Sequence, residues 1–292
     1  EAGGTPSHIV RPSHVVHLVE DLAFRPGDHA LLVPRTRDGR VLFAVPWLGK
    51  LILGTTDTPR RDLAREPQPF EEEVEFILSE ASHALSRPVQ RADVRSVWVG
   101  LRPLVAAPDT GAGGTKALSR EHTIVVDDNA MLTVTGGKWT TYRAMAEDVM
   151  AHLFDAGLLP RRSGDTTARH ILHGAPHQAD IPIQAAPGPH IFGSDIDAIR
   201  ALPGAGNELG MGLTEAMVRY AVRSEHAQTV EDVLARRTRV LFLDANTAAE
   251  IAPKVAAIMA AELGRDELWQ EESVEEFARV ARGYSVETES SP

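Results

Sequence analysis

Short apolar runs fill the first sixty residues: HALLVPRT, RVLFAV and KLILGTTDT, separated by Asp38-Gly39 in one turn and Gly49 in the next. That spacing predicts an antiparallel meander. The period then changes. In FEEEVEFILSEASHAL, Phe70, Val74, Ile77, Leu78, Ala81 and Leu85 recur at helical spacing, with Glu71, Glu72 and Glu73 in the first turn, where the helix dipole favours negative charge. Strand patterns return in DVRSVWVGLRPLV, predicted to end at Pro103, and in HTIVVDDNAMLTVT, predicted to form two strands about an Asp127-Asp128-Asn129 turn. From Lys138 onward, Tyr142, Met145, Ala146, Val149, Met150 and Leu153 share one helix face. Gly136-Gly137 in TVTGGKWTTYR is therefore read as a strand-to-helix turn.

From about residue 160 to 212 the chain is dense in Gly and Pro and no period is sustained, so a domain boundary is expected near 160. Beyond it, LTEAMVRYAVRSEHA, TVEDVLARRTRVLFLD, TAAEIAPKVAAIMAAELG and ESVEEFARVARGYS read as four helices. Thr229 and Thr247 are expected N-caps, the latter with Glu250 three residues on as a capping box. Pro253 is expected to kink the third helix or to move its start. The expected fold class is α+β. An antiparallel sheet with a strand-helix element (residues 1–160) is followed by a connector (161–212) and an all-helical C-terminal domain (213–292).

With 292 residues, 43% of them hydrophobic, the chain has the composition of an ordinary globular protein. Its net charge of −11 argues against nucleic acid as the main partner, leaving room only for a local basic pocket. The absence of cysteine excludes disulfides, thiolate metal sites and a cysteine nucleophile within this chain, and fits a reducing compartment. No run approaches 18–20 apolar residues, and EAGGTPSHIV has neither a methionine nor the order of a signal peptide. The chain is therefore expected to be part of something longer.

A Gly-Gly turn into a helix start offers unpaired backbone N–H groups and the positive end of the helix dipole, with Lys138 adding a charge and Thr140 and Thr141 able to cap or donate. Anions or electron-rich ring atoms are its natural partners, although an ordinary capped turn has the same pattern. Arg102, between Leu101 and Pro103, and Arg120, near His122, are candidates for gripping a phosphate or carboxylate through the planar guanidinium fork. His17 lies in RPSHVVHLVED, where it is a candidate general acid or base. His170, His173 and His177 have a loose metal-like spacing but fall in a Pro/Gly-rich loop, and no metal site is expected.

Five segments, DGRVLFAVPWLGKLILGTTDT, VGLRPLV, LSREHTI, LTVTGGKWTTYRAMAED and VRYAVRSEHAQTVEDVLARRTRVLFLDA, resemble in order and approximate spacing the FAD-dependent glycerol-3-phosphate dehydrogenases of respiring bacteria. The resemblance covers nearly the whole chain outside 160–212. It implies a substrate-binding sheet, a flavin-contacting strand and helix, and a C-terminal helical domain. The G-x-G-x-x-G diphosphate fingerprint of that family is not in this sequence. The implied cofactor, FAD, would then belong to a longer parent, and this fragment alone is expected to be inactive.

Position by position, the resemblance implies that Gly136, Gly137, Lys138, Trp139 and Thr140 lie beside the isoalloxazine ring. Lys138 and Arg120 correspond to phosphate-binding positions, and Arg102 to the arginine near the reacting carbon. His17 corresponds to the histidine that takes the C2 hydroxyl proton. Where the family reads Ser-x-Gly-Val-His, this chain reads SHVVH, so His14 stands as the alternative base. The implied reaction is oxidation of sn-glycerol 3-phosphate to dihydroxyacetone phosphate, with electrons passed through FAD to a quinone. A cytoplasmic protein is implied, peripheral on the membrane face, with a homodimer as an option. The alternatives are an oxidase using O2, another FAD-dependent hydroxy- or amino-acid oxidoreductase, and a non-enzymatic binding fragment.

Overall fold

The computed structural model describes residues 10–25, 27–59, 64–105, 121–162, 164, 166–175 and 182–286. In chain order the main elements begin with β1 (Val10–Asp21), β2 (Leu31–Val33), β3 (Leu42–Trp47), β4 (Lys50–Gly54), β5 (Thr58–Pro59) and α1 (Glu71–Ala84). Next come β6 (Ser96–Val105), β7 (His122–Val126), β8 (Leu132–Gly136), α2 (Tyr142–Asp155) and α3 (Ile196–Arg200). The last are β9 (Glu208–Gly210), β10 (Leu213–Thr214), α4 (Glu215–Glu225), α5 (Val240–Leu243), α6 (Ala245–Leu263) and α7 (Glu267–Arg282). This mixed composition and the antiparallel sheets agree with the α+β expectation.

The chain divides into two compact units: one of Glu1–Val15, Asp57–Pro67 and Gly100–Ile171, the other of Val16–Thr56, Gln68–Val99 and Leu172–Pro292. In the larger unit the predicted meander is present as β2-β3-β4, with β1 antiparallel to β4. Its register fixes two faces, because side chains alternate along each strand. Leu18, Leu53 and Ala44 form one cross-strand row, and they pack with Leu42, Leu51, Val74, Ile77 and Leu78 into a buried core under α1. Burying each of the valine, leucine and isoleucine side chains among them contributes roughly 1.5–3 kcal/mol. On the other face the rows are His17–Gly54–Phe43 and Val19–Ile52–Val45. Helices α4 to α7 build a second core around Met217, Leu234, Leu241, Val255, Met259 and Phe277.

Glu20 lies on β1 with no exposed surface, and neither carboxylate oxygen has a hydrogen-bond partner among the described residues. Burial, reinforced by Asp93 and Asp21, pushes its carboxyl from 4.5 to about 8. Between those values the folded chain holds a proton that the unfolded chain has lost. Stability therefore falls as pH rises through that window, by up to about 1.4 kcal/mol per pH unit. In the full-length protein Glu20→Gln, which cannot ionise, is expected to melt above the parent at about pH 8, with the gap narrowing toward about pH 5. Thermal melts at the two pH values check this; a gap independent of pH would contradict it.

Several local expectations are revised. β6 continues through Pro103 to Val105. Among the described strands it pairs only with β1, which leaves an unpaired edge where a residue without an N–H is tolerated. The helix expected over TVEDVLARRTRVLFLD is broken: Thr238 bonds back to the Val233 carbonyl through both its N–H and its hydroxyl, closing a π turn over Asp232–Arg237. Arg239, at φ 67°, then starts α5. Thr229 does cap, accepting from the Asp232 N–H at 3.1 Å. Thr247 does not, because Asp244 accepts its N–H at 3.0 Å and α6 begins earlier, running through Pro253.

In the smaller unit, β7 and β8 form the predicted hairpin, with His122 opposite Gly136. The apolar face of α2 is present, but no residue of α2 is buried, and Tyr142 and Met150 are 49% and 40% exposed. A two-stranded ribbon offers too little surface to cover a helix face.

Candidate functional site

In the larger unit, the sheet face opposite α1 carries a pocket of 280 Å³ lined by His17, Phe43, Val45, Trp47, Ile52, Gly54 and Trp98. The row His17–Gly54–Phe43 runs across its floor, with glycine on the middle strand between the two ring-bearing positions. The imidazole of His17 stacks on the Trp98 indole, with centroids 4.2 Å apart and planes 18° apart. His14, the alternative, is fully buried in the smaller unit, where it pairs with Thr58 on β5.

Arg102 belongs to the smaller unit. Its Nη1 lies 3.4 Å from Oδ2 of Asp57, whose other carboxylate oxygen accepts from the Ser13 hydroxyl. Asp57 is 10% exposed and Arg102 29%, so the guanidinium is held by a nearly buried carboxylate while part of it stays accessible. A partly accessible guanidinium has the planar donor geometry that suits an anion.

The Gly-Gly turn has the predicted form. Gly136 and Gly137 take φ values of 76° and 80°, which disfavour any side chain, and Lys138 is extended ahead of a short 3-10 turn, Trp139–Thr141, that leads into α2. Neither Lys138 nor Thr141, the residues at the two cap positions, caps that start with its side chain. A Cβ on Gly137 would fall 2.6 Å from the Met145 thioether and 3.1 Å from the His122 Cβ, so the bare backbone there answers to packing of the helix on the hairpin. Lys138, Trp139 and Thr140 are exposed, Trp139 at 85%, and its ring stacks on Tyr142. Beside the turn, His122 Nε2 lies 2.8 Å from Asp148 Oδ2.

Arg120 and His177 lie outside the described residues. His173 Nε2 lies 3.1 Å from Asp195 Oδ2. Trp98 and Gly54, which line the pocket, and Asp57, which lies beside Arg102, were not among the residues singled out in the sequence. Gly54 had a signal, since it replaces the residue that would continue the alternation of KLIL. Asp57 stood in GTTDT, within a segment already singled out.

The chain matches two family models: "FAD dependent oxidoreductase" over residues 2–143 and "C-terminal domain of alpha-glycerophosphate oxidase" over residues 190–271. A mitochondrial glycerol-3-phosphate dehydrogenase of Arabidopsis thaliana is 34% identical to it, over 91% of this chain and 47% of the plant protein. A probable mitochondrial glycerol-3-phosphate dehydrogenase of Caenorhabditis elegans is 37% identical over 89% of this chain and 39% of its own length. The chain thus spans half or less of the curated relatives it matches. Among solved structures, the glycerol-3-phosphate dehydrogenase from Bacillus halodurans complexed with FAD shares the fold, with a TM-score of 0.72 at 24% identity, over 94% of this chain and 57% of that one.

Proposed function

We propose, from the matches to the models of FAD-dependent oxidoreductases and of the alpha-glycerophosphate oxidase C-terminal domain, that the full-length protein oxidises sn-glycerol 3-phosphate to dihydroxyacetone phosphate and delivers the electrons to a quinone. His17 carries the reading. Of the two histidines weighed on β1, it lines an open pocket, whereas His14 is fully buried. A base that meets substrate needs that access.

The residues at the Gly-Gly turn fit one edge of a flavin. Gly136 carries no side chain, and neither Lys138 nor Thr141 caps the helix start with its own side chain, which suits the approach of electron-rich ring atoms to the first N–H groups of that turn. Bound FAD supplies the hydride acceptor. For this chain we assign His17 to taking the proton of the C2 hydroxyl. Arg102 is assigned to stabilising negative charge on that oxygen, and Arg120 and Lys138 to the phosphate dianion. Gly136, Gly137, Lys138, Trp139 and Thr140 make up the flavin-side wall. A dianionic substrate accounts for exposed and half-exposed cations in a chain of net charge −11.

None of the described helices is long and apolar enough to cross a membrane. With a quinone as acceptor, the proposal includes peripheral contact with a membrane surface. The match to the C-terminal domain of alpha-glycerophosphate oxidase favours a second reading, with O2 as acceptor. Steady-state turnover of the full-length protein with sn-glycerol 3-phosphate separates the two: quinone-analogue reduction without peroxide is expected, and stoichiometric peroxide would select the oxidase. No turnover with either acceptor would leave a non-catalytic binding role.

A further inference from the structure

We propose that Trp98 and Gly54 are positioning residues that clamp the His17 imidazole between an indole face and a bare stretch of backbone. The inference rests on the reading of His17 as proton acceptor and adds what holds it. On one side is the near-parallel stack, 4.2 Å between centroids. On the other, a Cβ built on Gly54 would sit 2.5 Å from His17 Cδ2 and 3.2 Å from both Cγ and Nε2; the three nearest atoms all belong to that one ring. Gly54 is the cross-strand partner of His17, and its φ lies outside the left-handed region, so the requirement for glycine here is room for the imidazole rather than backbone freedom.

The clamp is braced from behind. Trp98 meets Phe242 on α5 edge-on at 5.7 Å, and Phe242 meets Tyr284 edge-on at 5.4 Å. The start of β6 is tied to the same helices: Val97 N–H donates to the Tyr284 carbonyl at 2.8 Å, Ala245 N–H to the Arg95 carbonyl at 3.0 Å, and the Ser96 hydroxyl to the Leu241 carbonyl at 3.0 Å. The indole therefore cannot retreat without disturbing the helical core, and the C-terminal helices acquire a part in aiming the base. Trp98 Nε1 is buried with no hydrogen-bond partner among the described residues. The indole thus acts through its face, and phenylalanine in its place loses no hydrogen bond.

Two measurements on the full-length holoenzyme test this. In the first, Gly54→Ala is expected to lower the melting temperature in the parent background and to cost less than half as much in a His17→Ala background, where the obstructing ring is gone. Equal costs in both backgrounds would overturn the clamp, whatever the kinetics show. In the second, Trp98→Leu is expected to lower kcat by about 10–10²-fold with little change in KM, because small misplacements of a catalytic group carry costs of this order. Trp98→Phe, which keeps a ring to stack, is expected to recover most of the loss. Equal losses in the two variants, or a change confined to KM, would remove Trp98 from the positioning role. If His17→Ala itself leaves kcat unchanged while the melting cycle behaves as expected, the clamp stands and the assignment of the base fails.

Discussion

Alanine in place of His17 is expected to lower kcat of the full-length enzyme by about 10²–10⁴-fold, the usual span for loss of a general base, with KM for sn-glycerol 3-phosphate nearly unchanged. The ring lines the pocket, so the variant opens space rather than burying a new polar group. Its neighbours there are mainly apolar (Phe43, Val45, Ile52 and the two tryptophans), and none of these other lining side chains is a titratable base. Steady-state kinetics across a pH series checks the result. A kcat within a few-fold of the parent would exclude His17 as base, and His14→Ala would not restore the reading, because His14 is fully buried.

Arg102→Ala is expected to lower kcat/KM by roughly 10²–10³-fold, the scale for removing one preorganised donor from a developing oxyanion. The variant also leaves Asp57, at 10% exposure, without this cation, so the melting temperature should fall too. Arg102→Lys separates the two effects. An ammonium can keep the charge pairing with Asp57, but it lacks the planar fork that lets one side chain bond Asp57 and a substrate oxygen together. Lysine is therefore expected to restore most of the melting temperature and little of kcat/KM. Full recovery of activity would mean that charge alone suffices at this position.

Much of the fold was legible because it follows from local rules. The meander came from turn glycines and short apolar runs, α1 from its 3.6 period, and the β7–β8 hairpin from Asp127-Asp128-Asn129. What was not legible depends on distant partners. Thr238 breaks a helix by bonding back to Val233, which competes with propensity in a way no period records. Asp244 and Thr247 are equally good caps on paper, and one bond decides between them. The incomplete burial of the apolar face of α2 could not be foreseen either, since a hydrophobic stripe does not reveal how much cover it finds.

The candidate site was legible to a similar depth. Arg102, Lys138 and the glycine pair could be named from residue type and context, and His17 from residue type and resemblance. Their supports could not, because Asp57 lies 45 positions from Arg102, and Trp98 meets His17 only through strand pairing. Gly137 shows the converse. Its bareness looked like room for a ligand, and the nearest atoms belong to Met145 and His122 of the same unit.

The most direct test is anaerobic mixing of the flavin-loaded full-length protein with sn-glycerol 3-phosphate while the flavin absorbance is followed. The account predicts bleaching of the oxidised flavin, with dihydroxyacetone phosphate formed in equal amount, and a much slower bleach in His17→Ala. A flavin that stays oxidised at saturating substrate would contradict it.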